Sequence, residues 1–233
     1  MILFYTSEII NNKALLTEDE FQHCCKVLRH KEGDIIQITN GQGIFAEARI
    51  DNVQKRQAEL SILSQQSIQN SSTIIELAVA PPKTKTRWEW LLEKSVEVGV
   101  DVISPIITSN IERNKINLER NKKIIRSAAL QSKRIIHPRM NEIIKLGKYL
   151  DKEEVKNATK ILCHYNEDNP HIHESNITNN HLIVFIGPEG DFSQDEVDIL
   201  KNHKSHLVNI SNNRLRTETA AIIAVSQLNE MTK

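Results

Sequence analysis

Two short stretches combine glycine, carboxylates and arginine in patterns suited to holding a ligand. Gly187-Pro188-Glu189-Gly190-Asp191 follows the apolar run LIVFI and precedes SQDEVDILKNH, while SNNRLRTE at 211–218 follows HLVNI and precedes TAAIIAVSQL. A glycine-rich turn between strand and helix is where α/β proteins hold phosphates, but such a cradle needs a lysine and a run of N–H groups. Pro188 has no N–H, and Glu189 and Asp191 repel an anion. A ligand with hydroxyls, an amine or a positive centre suits the loop better, with Gly187 and Gly190 admitting a close backbone approach. Ser193 and Glu196 form a capping box that satisfies the next helix start from within. The alternative is a plain turn with Glu189 in solvent.

In the second stretch Thr217 is the expected N-cap and Glu218 sits in a first helical turn, where a carboxylate is favoured. Ala220, Ala221 and Ala224 leave one face of that helix thin enough for close packing. Arg214 and Arg216 stand just before it, either as ligand-facing cations or as solvated side chains. A basic tract, Arg113, Lys115, Arg120, Lys122, Lys123, Arg126, Lys133, Arg134 and Arg139, is interrupted by one acid, Glu119. Such segregation suits a nucleic-acid backbone, the alternative being a solvated helix face. A smaller cluster, Lys26, Arg29, His30 and Lys31, lies near the start. His164, His171 and His173 near Cys163 lack a second cysteine or a carboxylate at ligand spacing, so no metal site is expected.

Both loops need strands that end at one edge and helices that start there. From Thr73 onward strands alternate with helices: TIIELAVA, TRWEWLLEKSVEVGV, VISPIIT, NLERNKKIIRSAALQSKR, TKILCHY, then the two stretches above. That order predicts an α/β domain with a mainly parallel sheet, and ligands in such sheets sit at the carboxyl ends of the strands. Before it, IIQITNGQGIFAEARI alternates about Asn40-Gly41-Gln42-Gly43, a hairpin signal, and QAELSILS continues the alternation. Leu16, Phe21, Cys24, Val27 and Leu28 recur near helical spacing, which places one helix in this small β module. The polar SQQSIQNSST at 64–73 reads as a linker.

With 233 residues, 39% of them apolar, the chain can build one large domain or two small ones. Thirty basic and thirty acidic side chains cancel, so a polyanion partner must be met by a local patch. Three cysteines without a CxxC pair indicate neither a disulfide framework nor a zinc ribbon, and a reducing, cytoplasmic setting is expected. No basic leader precedes Glu8 and no apolar run reaches spanning length, so no membrane partner is expected.

These residues together carry a resemblance. GPEGDFSQDEVDIL and VNISNNRLRTETAAIIAVSQL resemble the two C-terminal signatures of the RsmE family of small-subunit rRNA methyltransferases, a G-P-E-G-(G/D)-(F/L)-(S/T) loop and an L-R-x-E-T-A segment. HCCKVLRHKEGD is similar to that family's H-x-x-x-V-L-R-x-x-x-G-D, and RWEWLLEKSVEVGVDVISPI to its (R)-x-E-W-x-x-x-K-x-x-E-L-G-V-x-x-I-x-P. The motifs span most of the chain in the right order.

The resemblance implies a PUA-like β-barrel for RNA at 1–69 and a SPOUT domain at 73–233, whose trefoil knot binds S-adenosyl-L-methionine. It implies a homodimer that methylates N3 of a uridine in 16S rRNA of the small ribosomal subunit. The cofactor residues it implies are Leu162, Cys163, His164, Gly187, Pro188, Glu189, Gly190, Ile210, Asn212, Leu215, Thr219 and Ala220. Arg216 is the residue to hold negative charge on a uracil oxygen, and Glu218 is a base or a structural carboxylate. Arg29, His30, Lys31, Arg113, Arg126, Gln131, Lys133 and Arg134 are the implied RNA contacts. The chain departs from the family where Leu130 and Lys133 replace Glu and Gly, and where Asp191 stands at a position often Gly. The rival readings are a silent RNA-binding or assembly protein on the same fold, and a nucleotide-binding α/β enzyme of another class.

Overall fold

A computed structural model describes residues 2–69, 71–175 and 179–232. The chain forms two compact units, residues 1–70 with 126–137, and residues 71–125 with 138–233. Besides the crossing near residue 70, then, the chain returns to the first unit over 126–137.

The first unit is a curled six-stranded sheet. Its strands are β1 (Leu3–Tyr5), β2 (Ile9–Ile10), β3 (Lys13–Thr17), β4 (Ile35–Thr39), β5 (Ile44–Val53) and β6 (Gln57–Ser67), in the order 1-4-5-6-3-2. All pairs are antiparallel except β1 with β4. The Thr6 hydroxyl, just after β1, donates to the Leu15 carbonyl of β3 at 3.0 Å, which draws the two sides of the sheet together. Alternate residues point inward, so Ile36, Ile38, Ala46, Ala48, Ala58 and Leu60 share a core with Phe4, Leu16 and Phe21. The hairpin falls where the alternation placed it: Asn40 Oδ1 accepts the N–H groups of Gln42 and Ile44, and Gly41 and Gly43 take φ of 71° and 103°.

Two expectations change here. The helix between β3 and β4 is α1 (Glu18–Phe21) running into a π-helical turn, Gln22–Val27, and Leu16 belongs to β3 instead. The Leu28 N–H bonds back to the His23 carbonyl, five residues away. That wider turn breaks the 3.6-residue phase, so Val27 is 69% exposed rather than in the core. The expected linker at 64–73 is shortened, because β6 continues to Ser67 by pairing Gln66 with Phe45 and Ser67 with Ile44. Asn70, within that stretch, lies outside the described residues.

The second unit holds β7 (Ile74–Val79), β8 (Val102–Ile107), β9 (Arg139–Met140), β10 (Ile144–Lys145), β11 (Thr159–Cys163), β12 (His181–Ile186) and β13 (His206–Val208). The order is 10-8-7-12-11-13 with β9 also on β8, and every pairing is parallel. Its helices are α2 (Lys85–Glu97), the start of α3 (Leu118–Gln131), α4 (Leu146–Leu150), α5 (Glu153–Asn157), α6 (Gln194–Asn202) and α7 (Thr217–Met231). Leu146, Tyr149, Val155, Val197 and Leu200 of α4, α5 and α6 pack on Ile183 and Phe185 of β12. Leu182, Val184 and Ile186 alternate to the other face, where α7 meets β7, β12 and α2. Burial on both faces explains the near-continuous apolar strands.

Two buried polar groups are satisfied in this frame. Glu76 of β7 accepts from Ser104 Oγ, Tyr149 Oη at 2.6 Å and His181 Nε2 at 2.9 Å. Lys160 of β11, 4% exposed, donates to the carbonyls of Val155, Lys156 and Ala158 and so closes the end of α5. Among the described residues no helix is long and apolar enough to cross a membrane.

Candidate active site

Parallel register sets three strand ends level. Ile186 of β12 lies opposite Cys163 of β11, and Cys163 lies opposite Val208 of β13. The loops leaving these three ends bound one cleft of about 340 Å³. The two stretches singled out in the sequence therefore meet because their strands flank the same neighbour.

Cys163, His164, Gly187, Pro188, Glu189, Ile210, Leu215, Ala220 and Arg216 all line the cleft. Leu162 is fully buried one residue inside β11, and Gly190, Asn212, Glu218 and Thr219 lie beside lining residues without lining it themselves. Tyr165, Asn209, Ser211 and Asn213 line it too, Ser211 and Asn213 from the second stretch and Tyr165 and Asn209 from the ends of strand segments. The signal for these was position: each follows a strand whose carboxyl end faces the cleft.

The loops are cross-braced. Tyr165 Oη donates to the Asn212 carbonyl at 3.3 Å, and Asn209 Nδ2 donates to the carbonyls of Asn166 and Asn169 at 2.7 and 3.0 Å. Gln227 of α7 donates to the Ile210 carbonyl at 3.2 Å. Thr217 is not the N-cap: Arg216 occupies that position, and the buried Thr217 hydroxyl donates to the Gly187 carbonyl at 3.0 Å. The helix start gives up a side-chain cap and gains a tie to the end of β12.

The carboxylates serve mainly to hold the loop. Glu189 Oε1 accepts the Lys83 N–H at 3.1 Å and lies 3.9 Å from Arg87 Nη1. Arg87 Nε also lies 3.5 Å from Glu218 Oε1, so one guanidinium on α2 spans the GPEG loop and the first turn of α7. Asp191 takes φ of 61°, the left-handed region in which glycine is at ease, and its Oδ1 accepts the Phe192 N–H at 2.7 Å. Asp191 thus holds a backbone conformation that glycine adopts without strain. His164 Nδ1 is buried 3.2 Å from Asp191 Oδ2 and makes no hydrogen bond. The Ser193–Glu196 capping box forms as expected, and Glu196 also accepts the Ser109 N–H at 2.7 Å.

Charge at the cleft is otherwise cationic and open. Arg214 and Arg216 are exposed and make no ion pair among the described residues. Desolvation pushes the Cys163 thiol up to about 12, so it stays neutral near pH 7.

The implied RNA contacts are distributed between the units. In the first, Arg29 is exposed with φ of 61°, His30 Nδ1 lies 3.1 Å from Asp34 Oδ2, and the Lys31 N–H bonds to that same carboxylate. Arg126 lies 4.1 Å above the Tyr5 ring, Gln131 and Lys133 are exposed, and Arg134 is half-buried. In the second, Arg113 Nε donates to the Lys83 carbonyl at 3.2 Å, behind the GPEG loop. Arg120 is paired with both carboxylate oxygens of Glu89. The basic tract is thus partly committed to its own neighbours and is not one solvated stripe. Among the described residues no group of three or more His, Cys, Asp or Glu is placed to hold a metal ion.

Comparison with known proteins places this geometry. A family model described as an RNA methyltransferase domain matches residues 69–229, and one described as an RNA methyltransferase PUA domain matches residues 16–63. The ribosomal RNA small subunit methyltransferase E of Rickettsia conorii is 30% identical over 224 residues, covering 94% of this chain and 90% of that one. The crystal structure of a probable rRNA-methyltransferase from Porphyromonas gingivalis superposes with a TM-score of 0.89 at 32% identity, over 100% of this chain and 98% of the other. A ribosomal RNA small subunit methyltransferase E from Neisseria gonorrhoeae, solved bound to S-adenosyl methionine, gives a TM-score of 0.90 at 27% identity over 99% and 98% of the two chains. With its parallel sheet, its PUA unit and its three-loop cleft, the chain belongs to the RsmE family of small-subunit ribosomal RNA methyltransferases.

Proposed function

We propose that the protein methylates ribosomal RNA of the small subunit with S-adenosyl-L-methionine as donor, acting on N3 of a uridine in 16S rRNA. The observation that supports this most is the cleft formed by three level strand ends, with Arg216 among its lining residues. The cleft fits the donor chemically. Ile186, Val208, Ile210, Leu215 and Ala220 supply an apolar shelf for a planar base, and the loop backbones supply polar edges. The buried His164 Nδ1, close to the Asp191 carboxylate but without a hydrogen bond, is one polar atom a ligand would satisfy. Residues 162–164, 187–190 and 210–215 would hold the group, with Ala220 on the cleft wall and Thr219 next to it in α7.

When bound, S-adenosyl-L-methionine supplies an electrophilic methyl group on a sulfonium. The chain's own part is to align the acceptor, to hold the charge that N3 gains as its proton departs, and to keep rival nucleophiles silent. Arg216, exposed and without an ion-pair partner, is the catalytic residue that holds this charge on a uracil oxygen. Cys163, held neutral by burial, does not compete for the methyl group. Glu218 faces Arg87 and does not line the cleft, which favours a positioning role for it over that of base. The RNA contacts are Arg29, His30, Lys31, Arg113, Arg126, Gln131, Lys133 and Arg134, and the acting form is a homodimer.

Calorimetric titration with S-adenosyl-L-methionine and transfer of labelled methyl to unmodified small subunits test the reading. Heat of binding with methylation at uridine N3 is expected; absence of both refutes it. Arg216→Ala should lower transfer by about 10²–10³-fold while leaving cofactor affinity nearly unchanged. Equal losses in both would assign Arg216 to the cofactor instead.

A further inference from the structure

The first unit contains a second cleft, of about 200 Å³, apart from the methyl-transfer site. Leu3, Gln37, Phe45 and Gln66, on the four consecutive strands β1, β4, β5 and β6, line it. Register places them on one surface: Leu3 pairs with Gln37, and Phe45 with Gln66. Their chain neighbours Phe4, Ile36, Ile38 and Ala46 are core residues, so this surface is the outer one. The far wall is the segment that returns after α3. Lys133, at φ of 57°, turns the chain, and the Ile135 carbonyl accepts the Thr39 hydroxyl at 3.0 Å. Ile136 then bridges to Gln42, so the wall is fixed to the sheet on which the cleft opens.

The polar groups here are uncommitted. Among the described residues, neither the carboxamides of Gln37 and Gln66 nor the Lys133 ammonium makes a hydrogen bond or ion pair. An aromatic ring, two carboxamides and one ammonium around a small apolar floor form a specific combination. The ring offers a stacking face, each carboxamide offers both a donor and an acceptor to a heterocycle edge, and the ammonium offers a counter-charge for a phosphate. An apolar peptide side chain would leave the amides unsatisfied, and a free anion would have no use for the ring. The volume is below the roughly 300–1,000 Å³ of drug-sized sites, which suits one ring system.

We infer that this cleft captures one unpaired nucleobase of the RNA substrate, stacked against Phe45, read at its edge by Gln37 and Gln66, with Lys133 on the adjoining phosphate. It rests on the RNA methyltransferase reading above and adds a contact for the substrate outside the methyl-transfer site.

Fluorescence anisotropy with the full-length protein and no cofactor tests it. The probes are a labelled single-stranded oligoribonucleotide of eight mixed nucleotides and the same backbone with abasic sites throughout. The intact oligomer should bind about ten-fold more tightly than the abasic one, the scale of one stacked base. Gln37→Ala and Phe45→Leu should each reduce that preference toward unity, in samples whose melting curves match the parent. Lys133→Gln should weaken both oligomers alike and lower the salt slope by about 0.7. Equal binding of the two oligomers by the parent protein, or a full base preference surviving in Gln37→Ala and Phe45→Leu, overturns the inference. Base preference is read without cofactor, so it is separable from failure of the methyltransferase reading, which shows as absent S-adenosyl-L-methionine binding in the same samples.

Discussion

Replacing Thr217 by Val removes a single hydrogen bond between the cleft's two central loops. The Thr217 hydroxyl is buried, with the residue 5% exposed, and donates to the Gly187 carbonyl at 3.0 Å. Valine keeps the β-branch and volume, so the first turn of α7 loses little else. Leaving a buried acceptor without its donor costs about 1–3 kcal/mol. At roughly 2–4 °C per kcal/mol for a chain of this size, the melting temperature should fall by about 2–12 °C. The same bond fixes the residue after β12 to the first turn of α7, whose N-cap is Arg216, so cofactor affinity should weaken about three- to tenfold. Differential scanning calorimetry and calorimetric titration of S-adenosyl-L-methionine measure the two effects. Thr217→Ser, which retains the hydroxyl, should recover most of the affinity. An unchanged melting point and affinity in Thr217→Val, or a Ser variant as weak as the Val one, would refute the reasoning.

Other expectations follow from the buried charges. Burial raises the Glu76 carboxyl, but hydrogen bonds from His181, Ser104 and Tyr149 outweigh this and hold it below the ordinary value of 4.5. A depressed folded pKa gives stability that is complete above about pH 4.5 and is lost as pH falls through the folded value. Glu76→Gln should therefore be less stable than the parent at neutral pH and lose less on acidification, as urea titrations at pH 7 and pH 4 would report. Lys160→Met leaves three carbonyls without their donor and should destabilise by about 1–3 kcal/mol in the same assay. Arg87→Met strands the largely buried Glu218 carboxylate and loosens Glu189. Cofactor affinity should fall about two- to tenfold, with Arg87→Lys intermediate, and an unaltered titration would show the bridge to be dispensable.

Legibility in the sequence followed the range of the forces involved. Strands β7, β8, β11 and β12 were readable because burial on both faces makes them continuous apolar runs. The capping box at Ser193 was readable because its partners are three residues apart. The short elements β9, β10, α4 and α5 leave no mark in the sequence, since two to five residues carry no periodicity. Val27 and Leu28 depart from the helical spacing of their apolar neighbours because a π-helical turn shifts the phase. At the site, Gly187, Glu189, Leu215 and Arg216 stood out by residue type, whereas Arg87 did not, because its partners lie 102 and 131 positions along the chain, by subtraction of residue numbers.

The amino-acid sequence by itself determined the two kinds of unit, the parallel order of the second, and the loops able to hold a non-phosphate ligand. Each of these depends on alternation, helical spacing or turn chemistry within about ten residues. Tertiary structure alone decided that Glu189 and Glu218 share one guanidinium, that Thr217 ties Gly187 instead of capping its helix, and that residues 126–137 return to the first unit. Those outcomes rest on the adjacency of β7, β12, β11 and β13 and on hydrogen bonds between residues distant in the chain. Local composition limits which side chains are available for such bonds; packing selects the partner each one meets.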